Sequence, residues 1–501
     1  MENLLYRRGY VLTNLSIQNR PGANVHHWNQ HDFSDLSLYT DPDVHFISYK
    51  SQSVEIACIG IVLDPYHKWI NEISILEKCV DTLKESSDIF WDYIDTLGGR
   101  FIILLKKEDQ LIAFQDAVGT RSLFYYDDPS NQDILISSHS ELIADLQKLH
   151  IDEEANIFLQ KNDFKNNKNR YYPGLFTPYK RVLSLTPNTY LDVHTNKITR
   201  FFPRNNRSRE QHISSINDVA QLLKKQLQLL NKHYDLAISL TGGLDSRLTL
   251  AASKEIKDSI YYYTLIYGNN HSSSIEDARA AKKLAETFNL DHHILQYDQP
   301  SDPGFIDQFK KNTSGVSSEY RAKIAEILYH RYPQNRLHIK SNIIDISKAH
   351  FKRRFAYLPK TCDPKIFSNL FYGDHNEPYV NRAMEYFIER THLKNHTTYD
   401  YDLYDLFDWE HQRGKWQSLC LYEWDTVQDT VIIYNNRLIL KYFISQSVTD
   451  RKRSTMHHRL VKMMWPELLD IEVGVNGTLS WNPIMRRVKG LSLRMKLLLR
   501  Q

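Results

Sequence analysis

The chain has 501 residues, 42% of them hydrophobic and 25% charged, with 63 basic against 60 acidic side chains and a formal net charge of +3. That length exceeds what one hydrophobic core ordinarily serves, so two domains are expected, and the near-neutral balance excludes the strong field that marks a nucleic-acid partner. Four cysteines, Cys58, Cys79, Cys362 and Cys420, stand far apart in neither CxxC nor His-paired spacing, which predicts reduced thiols; with no leader-like start and no apolar run near about 18 residues, the chain is expected in the cytoplasm without a transmembrane segment.

Up to about residue 205, short apolar or alternating runs such as "VEIACIGIVL", "GRFIILLKK", "QLIAFQD", "DILISS" and "NTYLDV" are separated by turn residues and predict strands. The polar stretch "FFPRNNRSREQH" reads as a linker. Beyond it Ile213, Ile216, Val219, Leu222, Leu223, Leu227 and Leu230 recur at helical spacing and form one apolar stripe. Strand "DLAISL", helix "SRLTLAASKE", strand "IYYYTLIYG", helix "IEDARAAKKLAETF" and strand "HHILQY" then alternate, the pattern of a parallel sheet with crossover helices. The expected division is 1–205 and 206–501.

The turn between "DLAISL" and its helix reads Thr241-Gly242-Gly243-Leu244-Asp245-Ser246. A strand end, a tight glycine turn and a helix N-terminus gather backbone N–H groups in one concavity, which suits an anion. No lysine follows and the spacing is shorter than in the GxxxxGK[ST] loop. The stretch resembles instead the S-G-G-x-D-S loop of PP-loop ATP pyrophosphatases. The resemblance implies ATP cleaved between the α- and β-phosphates, pyrophosphate held by the loop, and Mg²⁺ carried by Asp245. It also assigns Ser239, Leu240, Tyr267 and Ser341 to the ATP site.

In the first part, "LGGRFIILLKKEDQLIAFQDAVGTRSLFYYDDPSNQDILISSHSEL" is similar to the N-terminal domain of asparagine synthetase B, with Gly99, Phe101, Asp116, Gly119, Leu123, Tyr125, Ser138 and Glu141 at matching places. Behind the loop, "IEDARAAKKLAETFNLDHH" is similar to that family's D-x-x-A-A segment and puts Asp277 on its aspartate. The implied fold is an Ntn-type antiparallel β-sandwich with helices, followed by a parallel-sheet PP-loop domain, adenine nucleotide α-hydrolase-like, with additional C-terminal helices.

Two departures qualify that implication. The family carries a nucleophilic cysteine directly after the initiator methionine, whereas this chain reads Met1-Glu2-Asn3 and its first cysteine is Cys58; without a thiol no thioester forms, so glutaminase activity is not expected and Asp116 becomes a structural remnant. The family's S-G-x-G-x-D-E loop is replaced by "HIKSNIIDISKAHF", with Asp345 as the second expected metal ligand and Ser341 and Ile343 where glycines would stand.

Further on, Glu410, Arg413, Glu423, Asp425 and Arg437 sit among Trp409, Trp416 and Trp424. By resemblance this region supplies the acceptor site and a catalytic lysine, for which Lys441, Lys452 and Lys462 compete and Lys452 is chosen. The acid-free "RRVKGLSLRMKLLLR" reads as a solvated helix face, with an anionic membrane surface, leader peptide or glycan as alternatives. The expected function is an ATP- and Mg²⁺-dependent ligase that adenylates a carboxylate-bearing small molecule, peptide or glycan and transfers the acyl group to an amine or to ammonia, the latter free or from a partner amidotransferase. The alternatives are a β-lactam- or lasso-peptide-type intramolecular cyclase, a nucleotide-binding pseudoenzyme, and a PP-loop RNA-modifying enzyme, which the charge and cysteines disfavour.

Overall fold

The computed structural model describes residues 4–17, 25–67, 72–167, 170–206, 213–267, 273–394 and 397–471, and the basic segment at 486–500 lies outside them. Its strands, in chain order, are β1 (Tyr10–Thr13), β2 (Asn29–Phe33), β3 (Leu36–Thr40), β4 (Phe46–Lys50), β5 (Val54–Leu63), β6 (Gly98–Lys107), β7 (Gln110–Gln115), β8 (Phe124–Tyr126), β9 (Leu135–Ser137), β10 (Val182–Ser184), β11 (Thr189–Asp192), β12 (Ile198–Arg200), β13 (Leu236–Ser239), β14 (Tyr261–Leu265), β15 (His292–Leu295), β16 (Leu337–Ile339) and β17 (Thr430–Val431). The first twelve make two six-stranded antiparallel sheets, ordered β10-β8-β9-β1-β3-β2 and β12-β11-β7-β6-β5-β4.

Because successive strand residues face opposite ways, Tyr10 and Leu12 join the main core shared with β5 to β7, while Val11 packs with Leu142 and Ile143 of helix Ser140–Gln147 on the other side. Helices Glu72–Glu85 and Ser87–Thr96 cover the second sheet. Two antiparallel sheets with flanking helices are the sandwich that the sequence predicts.

The last five strands form a parallel sheet in the order β15-β14-β13-β16-β17. Helix Ile216–His233 leads into it, opened by a Ser215–Asp218 capping box and burying Ile216, Val219, Leu222, Leu223, Leu227 and Leu230, the stripe read from the sequence. The chain winds from β13 out to β14 and β15, then returns to β16 on β13's other side. The winding reverses between β13 and β16, and such a reversal opens a crevice at the strands' carboxyl ends. Further helices complete this half, and among the described residues none is long and apolar enough to cross a membrane.

The two halves interlock through buried ion pairs. Arg100 meets Asp425 at 2.6 Å, Arg437 meets Asp95 at 3.0 Å and Arg200 meets Glu410 at 2.8 Å. Glu410, Asp425 and Arg437, singled out in the sequence, therefore serve the contact between halves. The segment before β1 is pinned in the same way: Leu4 N–H donates to Gln308 Oε1 at 2.8 Å and Tyr6 N–H to Asn312 Oδ1 at 2.9 Å.

Beside that segment His139 is buried between the rings of Tyr6 and Tyr422, at 5.1 and 4.6 Å, with Nδ1 2.7 Å from Ser138 Oγ. Burial, with Arg121 adding to it, lowers its pKa from 6.5 to about 3. A folded pKa below the unfolded one contributes stability that is complete above about pH 6.5 and fades as pH falls toward 3, by about 1.4 kcal/mol per pH unit. His139→Gln should flatten the dependence of unfolding free energy on pH in that window by one proton's worth. An unchanged slope, measured by urea unfolding at stepped pH, would contradict it.

Candidate functional site

The crevice between β13 and β16 holds a cleft of about 450 Å³ whose walls include Ser239, Thr241, Gly243, Leu244, Asp245 and Ser246 from the first turn, and Ser341, Asn342, Asp345 and Lys348 from the turn after β16. Asp277, Arg353, Trp416, Gln417 and Ser454 complete it. Two loops far apart in sequence converge because parallel strands end on the same edge.

The glycine turn is braced from within. Thr241 N–H donates to Ser246 Oγ at 2.9 Å, Gly243 N–H to Thr241 Oγ1 at 3.3 Å and Gly242 N–H to Asp277 Oδ1 at 3.1 Å. Asp277, read as the matching aspartate, thus holds the turn. Burial raises its pKa against the opposing Gly242 hydrogen bond. Helix Leu244–Ala252 starts directly at the turn, earlier than the predicted Ser246, and its N-cap Gly243 provides no side-chain acceptor. Its start carries no side-chain cap, and Leu244, Asp245 and Ser246 of its first turn line the cleft.

Gly243 itself has φ −75° and ψ 157°, open to any residue. A Cβ there would meet only Thr241 Oγ1, at 3.5 Å. The fold therefore does not need glycine at this position, and the missing side chain keeps the cleft open.

Lys348 Nζ bridges the two expected metal ligands, lying 2.6 Å from Asp245 Oδ2 and 2.8 Å from Asp345 Oδ1. Asp345 Oδ2 faces Arg413 Nη1 at 3.6 Å, and Arg413 Nε lies 3.3 Å from Asp408 Oδ1. Burial works to raise the Asp345 pKa, but Lys348 and Arg413 outweigh it and hold the carboxyl well below its usual range. Conversely, Asp345 and Asp245 hold Lys348 above its ordinary value despite burial. Burial pushes Asp408 up to about 6 even with Arg413 beside it. Asp245 Oδ1 and Ser341 Oγ are buried without hydrogen-bond partners, as is His457, whose Nε2 lies 3.4 Å from that same Asp245 oxygen. Such buried groups are ones that a water or a bound polar ligand would satisfy.

The expected Mg²⁺ does not fit this arrangement. The position between Asp245 and Asp345 carries the Lys348 ammonium, and no further group of three His, Cys, Asp or Glu side chains suited to a metal stands among the described residues.

No family model and no curated protein matches the chain. Among solved structures it is similar to glutamine phosphoribosylpyrophosphate amidotransferase from B. subtilis complexed with ADP and GMP, at 10% identity over 69% of this chain and 71% of that one, TM-score 0.21. It is likewise similar to the allosteric regulatory enzyme of purine biosynthesis, at 10% identity over 67% and 68% of the two chains, TM-score 0.23. Likenesses this slight carry no weight for function.

Of the other residues read from the sequence, Leu240 is buried directly after β13, its N–H donating to Tyr263 O at 2.7 Å. Tyr267 stacks edge-on with Tyr320 at 5.8 Å beyond the end of β14 and is not on the cleft wall. Lys452 lines a separate cleft of about 960 Å³ with Asp402, Asp405 and Arg451. Lys441 is buried 3.7 Å from Asp95, and Lys462 is exposed on helix Thr455–Met464.

Lys348 was missed, and so was the helical distortion that delivers Trp416 and Gln417. From Leu403 to Asp425 the chain is one continuous helix whose stretch Asp408–Gln417 is π-helical. That wider winding, often found at functional sites, sets Arg413, Trp416 and Gln417 on the cleft side. Gln417 Oε1 accepts from Asn342 Nδ2 at 2.9 Å and ties helix to loop.

The four thiols are all raised by burial, Cys362 to about 11, so none is an activated nucleophile.

Proposed function

We propose that the chain is an ATP-dependent ligase that activates a carboxylate as its acyl-adenylate and passes the acyl group to ammonia or another amine. The observation that carries this reading is the cleft at the sheet's reversal point, where an uncapped helix start, a glycine whose side chain the fold does not forbid, and Lys348 converge. On this reading pyrophosphate lies against the first-turn amides of Leu244, Asp245 and Ser246. The substrate carboxylate attacks the α-phosphorus from the side of Ser341 and Trp416.

As the α–β bridge breaks, charge gathers on the departing pyrophosphate, where fixed dipoles and a held ammonium stabilise it without reorganising. The amine then attacks the acyl carbon and AMP leaves. The sandwich half, residues 1–205, contributes no nucleophile and serves as a scaffold for 206–501, with ammonia drawn from solution or from a partner amidotransferase.

Hydroxylamine, a strong amine surrogate, tests this. Purified protein given ATP, hydroxylamine and a panel of amino-acid, peptide and sugar-acid carboxylates should form a hydroxamate with at least one of them, in step with AMP. ATP binding with no hydroxamate from any carboxylate would favour a nucleotide-binding pseudoenzyme.

A further inference from the structure

We propose that the Lys348 ammonium is the resident cation of this site, standing in place of a divalent ion between Asp245 and Asp345. A Mg²⁺ or Mn²⁺ ion needs carboxylate oxygens at about 2.0–2.2 Å and brings its own shell of oxygens. It cannot share the pair with an ammonium already 2.6 and 2.8 Å from the same two groups. Both oxygens of Asp345 already face cations, Oδ1 at 2.8 Å from Lys348 Nζ and Oδ2 at 3.6 Å from Arg413 Nη1, so a divalent ion would have to compete with two resident positive charges.

Lys348 is held there by the backbone beneath it. It ends the short 3₁₀ turn Ile344–Lys348, whose flanking residues Ile343 and Ala349 have φ of 74° and 49°. A β-branched residue at such a φ is strained, by about 1–3 kcal/mol. Buried Ile343, Ile344 and Ile346 anchor the turn from inside. Behind it Arg451, paired with Asp405 at 2.6 and 2.9 Å, donates to the carbonyls of Ile346 at 2.8 Å and Ser347 at 3.2 Å. The lysine's Cα is thus fixed on the cleft rim. Of its three N–H donors two are taken by carboxylates, and the third is available to a phosphate oxygen.

The consequence is a nucleotide site whose cation is built into the chain, deepening the ligase reading by removing its metal. Mn²⁺ alone, followed by electron paramagnetic resonance with the full-length protein, tests it without nucleotide. Failure of the ligase reading would therefore not disturb the result. Wild-type protein is expected to hold no Mn²⁺ tighter than about 1 mM, the weak end of carboxylate sites. Lys348→Met, which removes the charge and keeps the length, should gain one Mn²⁺ per chain at least tenfold tighter, and Asp345→Asn added to it should abolish that gain. Lys348→Arg should stay metal-free. Wild-type protein that binds one Mn²⁺ lost in Asp245→Asn would overturn the proposal whether or not the lysine variants fold. A folded Lys348→Met protein that gains none would overturn it too.

Discussion

Gly243→Val is expected to lower ATP–pyrophosphate exchange by a hundredfold or more while the protein stays folded, its melting temperature falling by about 3 °C at most. The backbone at 243 already sits where valine is comfortable, and a Cβ there has only Thr241 Oγ1 near it, at 3.5 Å. Valine is a poorer N-cap than glycine, which accounts for a loss of up to about 1 kcal/mol. Its two methyl groups would project into the cleft against which pyrophosphate is proposed to lie. A hundredfold loss corresponds to about 2.7 kcal/mol of transition-state stabilisation. Near-normal exchange would mean that the turn does not touch the phosphates.

The second large effect is expected in the other half and on stability alone. Asp116 accepts hydrogen bonds from the amides of Phe101, Val118, Thr120 and Arg121, at 3.3, 3.2, 2.9 and 3.0 Å, from Thr120 Oγ1 at 2.8 Å and from Asn435 Nδ2 at 2.8 Å. Every lone pair of the carboxylate is used, and Asn435 belongs to the other half of the chain. Asp116→Asn keeps the shape but turns an NH₂ toward donors and removes the charge that strengthens each bond. The buried donors left unpaired should cost about 3 kcal/mol or more, seen as a lower midpoint in urea. A variant as stable as the wild type would contradict the structural role that these six hydrogen bonds assign to the carboxylate.

What the sequence made legible was local. The glycine turn, Asp277 and the alternation of strand and helix around them each lie within a few dozen residues, and the parallel sheet, with the site on its edge, follows from them. The helix Ile216–His233 was readable because its stripe repeats at the helical period.

The loop after β16 was only half legible. Ile343 stands where glycine was expected, yet it takes a positive φ, because its buried side chain anchors the turn and compensates the strain. Lys348 lies three residues past Asp345, a spacing that any 3₁₀ turn brings onto one side, but its second partner, Asp245, is 103 residues away and leaves no local trace. The π-helical stretch Asp408–Gln417 was hidden for a similar reason. It has no apolar periodicity of its own, and its partners lie outside it, such as Ala117, whose carbonyl accepts from Trp409 Nε1 at 2.8 Å. Lys452, assigned by resemblance, lines the separate cleft with Asp402, Asp405 and Arg451, a placement that leaves no local trace in the sequence.

The measurement that bears most directly on the central claim is the fate of ATP labelled at the α-phosphate, in the presence of a carboxylate that yields hydroxamate. If the cleft adenylates, the label should emerge as AMP in amounts equal to the amide formed, with unlabelled pyrophosphate released alongside, and Gly243→Val should suppress both together. Label recovered as ADP would place the cleavage between the β- and γ-phosphates and contradict the reading of the Thr241–Ser246 turn on which the account rests.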